Sequence, residues 1–99
     1  MARFDVYPSP NDVGFLLDVQ TDLLDQLNTR IVVPLMPMAK APQPAKRLNP
    51  SFDIGGDPYV TVTQFMAAVP AAMLKASVTN LADQADDITN ALDMVFFGF

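Results

Sequence analysis

Ninety-nine residues are enough for one hydrophobic core and too few for two, so a single domain over 1–99 is expected. Cysteine and histidine are both absent, which excludes disulfides, thiolate metal sites and the commonest general base near neutral pH. A formal charge of −5 with only six lysines and arginines argues against direct binding to a nucleic-acid backbone.

In chain order, Phe4-Asp5-Val6-Tyr7 alternates with the period of a half-buried strand. Pro8, Pro10, Asn11-Asp12 and Gly14 supply a turn, and Phe15-Leu16-Leu17-Asp18-Val19-Gln20 reads as a second strand. Thr21 to Asp25 fits either a helical turn or an irregular loop. The β-branched run in Arg30-Ile31-Val32-Val33-Pro34-Leu35 predicts a third strand, with Pro34 at an edge or a bulge because it lacks an N–H. Residues 36–50 carry four prolines and three basic residues and read as an exposed loop. Phe52 to Ile54 resumes extended structure, Gly55-Gly56-Asp57-Pro58 turns, and Tyr59-Val60-Thr61-Val62-Thr63 alternates strictly, as a strand does. A short strand or turn surrounds Val69-Pro70.

The last element is a helix. Leu81, Ala85, Ile88, Leu92 and Val95 recur every three or four residues as one apolar stripe, which reads as core. Asn80 is the expected N-cap, with Asp83, Asp86 and Asp87 where the helix dipole favours negative charge. Gly98 is the expected terminator. Short strands followed by one terminal helix predict a mainly β fold, a small antiparallel barrel or sandwich capped by that helix.

Little here supports catalysis. There is no glycine-rich phosphate loop, nucleophile pair or metal-ligand cluster, so neither an enzyme nor a cofactor is expected. Asp18, Asp22 and Asp25 are close enough in sequence to suggest paired carboxylates, but solvated loop acids are the expected reading. The tail Phe96-Phe97-Gly98-Phe99 is unusual, since burying each phenylalanine is worth roughly 1.5–3 kcal/mol. Its rings pack at a dimer interface or await a partner, and spacing alone does not choose. Met94 and Phe96 extend past the core toward a second subunit, and a 51% apolar fraction points to a homodimer. Met1 to Asp5 lacks a signal-peptide core, and the longest apolar stretch, Phe65 to Leu74, is too short for a bilayer span. A cytosolic protein without membrane attachment is expected.

Three blocks together resemble the CcdB toxins of bacterial toxin–antitoxin pairs. The first is Leu17-Asp18-Val19-Gln20-Thr21-Asp22-Leu23-Leu24-Asp25, continuing to Arg30-Ile31-Val32-Val33-Pro34-Leu35. The second is Ile54-Gly55 followed by Met66-Ala67-Ala68-Val69-Pro70. The third is Asp87-Ile88-Thr89-Asn90-Ala91-Leu92-Asp93, ending in Phe96-Phe97-Gly98-Phe99. The resemblance implies an SH3-like barrel with a C-terminal helix, paired as a homodimer. It further implies a toxin that binds the DNA gyrase A subunit, stabilises the cleaved-DNA complex, and is neutralised by a CcdA-type antitoxin.

In this family the gyrase contact is a terminal Trp-Gly-Ile, matched here by Phe97, Gly98 and Phe99. Phenylalanine stacks on a guanidinium more weakly than tryptophan. The same resemblance implies antitoxin contacts at Leu23, Leu24, Asp93, Phe97 and Gly98, with Asp93 standing where relatives can carry Asn. For Leu23 and Leu24 ordinary core packing is the alternative. Met94, Phe96 and Phe99 are the candidate dimer contacts. Two other readings remain: a relative that binds antitoxin without poisoning gyrase, and a MazF-type endoribonuclease. Acidic charge and missing histidine count against the second.

Overall fold

The computed structural model describes residues 1–10 and 13–98; Asn11 and Asp12 of the expected first turn, and Phe99, lie outside them. Seven strands are found among the described residues: β1 (Asp5–Pro8), β2 (Phe15–Asp18), β3 (Thr29–Pro37), β4 (Ser51–Ile54), β5 (Asp57–Thr61), β6 (Ala67–Pro70) and β7 (Thr79–Asn80). One helix, α1 (Ala85–Phe97), follows. All pairings are antiparallel in the order β4-β5-β3-β2-β1-β7, with β6 also on β3. The sheet curls into a nearly closed barrel, the SH3-like architecture with a C-terminal helix expected from sequence.

The long β3 strand makes that curl. Its first half, Thr29–Val32, pairs with β6, its last residues, Leu35–Pro37, pair with β5, and β2 lies along the other side. Pro34 falls at the change of partner. It is therefore at neither an edge nor a bulge, since its register with Leu16 is continuous. Its carbonyl accepts from the Val62 N–H at 2.9 Å. A strand residue aims its N and its C=O to the same side, so the missing donor faces the gap between β6 and β5 and no ladder bond is lost.

Alternation sorts the side chains onto two faces. The concave face gathers Val6, Leu17, Val33, Leu35, Phe52 and Ile54, closed by Leu81 just before the helix and by Ile88 on α1. The opposite face holds a smaller cluster of Tyr7, Val32 and Leu74, with Leu16 and Val69 against it. In the segment after Tyr59 the expected alternation of burial does not hold. Val60 and Val62 are buried, but so are Thr61 and Thr63, and the strand ends at Thr61. The long loop folds over that side. Asn49 donates to the Thr61 carbonyl at 3.0 Å and to Gln64 Oε1 at 2.8 Å, and the Thr63 hydroxyl donates to the Leu48 carbonyl.

Just before β2, Gly14 has a φ of +116°, and an added Cβ there would run into the Leu35 carbonyl oxygen. Only glycine fits both that backbone and that space. At the other end Asn80 is not the N-cap: its Oδ1 accepts from the Ala82 N–H at 2.8 Å, but Leu81 stands at the N-cap of the 3-10 turn Ala82–Gln84, and α1 begins only at Ala85 after Gln84. Leu81, Ile88 and Ala91 are buried with Ala85 and Leu92 partly so, but Val95 is exposed. The apolar stripe thus anchors the first three turns of α1 and leaves its last turn to solvent.

Candidate functional site

Two apolar surfaces stand out, each on a different element. The first is the last turn of α1, where Phe96 is 63% and Phe97 69% exposed. Met94 and Asp93 beside them are half-buried. The helix stops at Gly98, whose φ of +79° is left-handed and whose N–H still donates to the Met94 carbonyl at 3.2 Å. No side chain meets an added Cβ there within 4 Å, so the glycine serves backbone direction and not packing.

The second surface is a 3-10 turn, Asp22–Leu24, between β2 and β3. Leu23 is 90% exposed and Leu24 47%, which removes core packing within this chain as their role. Leu23 and Leu24 together thus form a small apolar surface on a short turn.

Short irregular turns hold their shape only if their backbone groups find partners. Here the partners come from buried polar side chains. Gln20, itself buried, donates through Nε2 to the Leu24 carbonyl at 2.9 Å and accepts through Oε1 from the Ile31 N–H at 3.1 Å. Its own N–H donates to Asp18 Oδ1 at 3.0 Å. Thr21 Oγ1 caps the turn by accepting from the Leu23 N–H at 3.3 Å. From the other side the Arg3 N–H donates to Asp22 Oδ1 at 2.8 Å, and Arg3 Nε to the Val19 carbonyl at 3.0 Å.

Asp18 is the foundation of this arrangement, and it overturns the expectation of a solvated loop acid. Its side chain is 0% exposed, and its Oδ2 meets Arg30 Nε at 2.8 Å and Nη2 at 2.6 Å. Burial pushes the Asp18 carboxyl above the ordinary carboxylate range, while Arg30 and the Gln20 N–H hold it back. Tyr7 lies close by and hydrogen-bonds Asp5 Oδ2 at 3.3 Å. Burial first, then the charges of Asp5 and Asp18, push its phenol up to about 12. Asp22 and Asp25 are exposed, as expected.

Sequence reasoning thus marked Leu23, Leu24, Asp93, Met94, Phe96, Phe97 and Gly98, and missed the polar residues that hold the second surface, the Asp22–Leu24 turn. A readable signal existed: Asp18 and Arg30 are charged residues set inside or at the head of apolar strand runs, where a charge needs a partner. One of the six cations is therefore taken up inside the fold, while Lys40, Lys46, Arg47 and Lys75 are exposed. Among the described residues no cluster of three or more Asp, Glu, His or Cys is placed to hold a metal. No helix among them is long and apolar enough to cross a membrane.

The fold is thus a small, nearly closed antiparallel β-barrel with a C-terminal helix, offering solvent an apolar helix end and an apolar turn. The family model of the CcdB protein matches residues 3–98, almost the whole chain, and the chain belongs to this family of toxins.

Proposed function

We propose that this protein is a gyrase poison that acts in the cytosol as a homodimer. The C-terminal turn, Phe97, Gly98 and Phe99, binds the gyrase A subunit and stabilises the cleaved-DNA complex. A cognate antitoxin covers Leu23, Leu24, Asp93, Phe97 and Gly98 and neutralises the toxin, while Met94, Phe96 and Phe99 contribute to the dimer. No step in this account breaks or forms a covalent bond on the toxin; it works as a wedge and needs no cofactor.

The observation that carries the reading is the exposure of Phe96 and Phe97 on a helix whose other turns are anchored in the core. A rigid platform lets apolar rings bind without first paying to be ordered. Phe97 can stack on a cation through its ring face, and Gly98 turns the chain directly after it. Family membership supports the same reading.

The test is gyrase-mediated DNA cleavage in the presence of ATP. The purified protein is expected to make gyrase accumulate linear DNA. A variant lacking Phe97 to Phe99 is expected to lose this while keeping its circular dichroism spectrum. A truncated protein that still poisons gyrase would refute the assignment of the tail. A full-length protein that binds antitoxin but leaves gyrase unaffected would instead mark a relative disarmed by phenylalanine at position 97.

A further inference from the structure

The Asp18-Val19-Gln20 stretch has no place in the binding surfaces above, yet it is the part of the chain most densely tied to one of them. We propose that Gln20 is a positioning residue for antitoxin recognition: its buried carboxamide sets the turn that presents Leu23 and Leu24. The inference rests on the proposed role of those leucines and adds the group that acts through them.

The geometry is a relay in which every link is a hydrogen bond. Arg30 holds Asp18 Oδ2, Asp18 Oδ1 holds the Gln20 N–H, and the Gln20 amide joins the Leu24 carbonyl to the Ile31 N–H on β3. A carboxamide is suited to the last link because it carries a donor and an acceptor side by side. One satisfies the outgoing carbonyl of the turn and the other an N–H of the neighbouring strand. The turn has no buried residue of its own, so apolar packing cannot fix its shape. Beyond the turn's own backbone bonds from the Leu24, Asp25 and Leu27 N–H groups, what holds it to the barrel is this clamp from beneath, the Thr21 cap, and the Arg3–Asp22 contact from the side. Buried polar groups couple more strongly than exposed ones, which makes Gln20 the dominant attachment.

Gln20 is only 5% exposed, so it cannot supply much contact area itself. Its effect on binding must therefore pass through the turn. That distinction is measurable with a double-mutant cycle, using the full-length cognate antitoxin of the proposed function as the probe. The proteins compared are wild type, Gln20→Met, the double variant Leu23→Ala with Leu24→Ala, and all three changes together. Urea denaturation confirms that each is folded under the binding conditions.

Gln20→Met is expected to weaken antitoxin binding roughly tenfold, within the range seen for residues that share a hydrogen-bond network. In the alanine background the same change is expected to cost little or nothing, because there is no leucine pair left to misplace. Amide exchange at residues 23–27 is expected to quicken in Gln20→Met before any partner is added. Should Gln20→Met not fold, Gln20→Glu keeps the acceptor for Ile31 and removes the donor to Leu24, and the same cycle applies.

A purely structural role would lower affinity equally in both backgrounds, and that result would overturn the inference. So would unchanged binding by the folded variant. If the wild type bound no antitoxin, the functional reading itself would fall and this inference with it. If the wild type bound and the cycle came out additive, the inference alone would fall.

Discussion

The two apolar surfaces of this toxin are built on opposite principles. The end of α1 takes its position from helical backbone bonds and from Ile88, Ala91 and Leu92, which seat the preceding turns on the barrel. Nothing about its placement needs a buried charge. The Leu23–Leu24 turn has no buried residue of its own, and beyond its short backbone bonds it is fastened to the barrel by a relay of polar side chains rooted in the Asp18–Arg30 pair. The same exposure in two places therefore implies two sensitivities. A helix end tolerates changes to the polar interior, and a polar-held turn does not.

The contrast can be broken most forcefully at Asp18. Asp18→Asn leaves the Arg30 guanidinium buried without its counter-charge, and breaking a buried pair in this way typically costs about 3–5 kcal/mol. Urea unfolding is expected to show a loss of that size. Phe97→Ala, at an exposed site, is expected to stay within about 0.5 kcal/mol of wild type in the same measurement. Equal losses from the two variants would erase the distinction drawn here.

A smaller effect is expected at the helix end. Gly98→Ala has open space around the new methyl, so its cost is the left-handed backbone alone, roughly 1 kcal/mol. That cost is expected as faster amide exchange in the last turn of α1, with the barrel strands unchanged.

The mildest probe of the polar interior is Tyr7. Its phenol ionises at about 12 in the folded protein, against 10.0 for an ordinary tyrosine. The unfolded chain therefore releases this proton first as pH rises, so the stabilisation present below pH 10 drains away between about 10 and 12. Absorbance of tyrosinate should show one late-titrating group that disappears in Tyr7→Phe. That variant is also expected to flatten the alkaline fall in stability.

Much of the fold was legible in the sequence because its signals are local. Alternation marked β1 and β5, an apolar run after a Pro/Gly turn marked β2, β-branched residues marked β3, and three-four spacing with a closing glycine marked α1. The candidate site was legible where it depends on an apolar residue standing where one is not expected, as at Phe96 and Phe97. It was not legible where it depends on distant pairing. Asp18 and Arg30 are separated by 12 positions, and although a charge set in an apolar run asks for a partner, only laying β2 against β3 shows which one. The burial of Thr61 and Thr63 had the same origin, because only folding brings Asn49 and Leu48 over that side of the barrel. Pro34 misled for a related reason: whether a missing N–H matters depends on what lies opposite it.

We propose that gyrase meets the exposed aromatic end of α1, held on the barrel. This is tested most directly by titrating wild type and Phe97→Ala into gyrase with supercoiled DNA and ATP and measuring the linear product. The account predicts that wild type drives accumulation of cleaved DNA and that Phe97→Ala, equally folded, does so only weakly or not at all. Matching titration curves for the two proteins would contradict it.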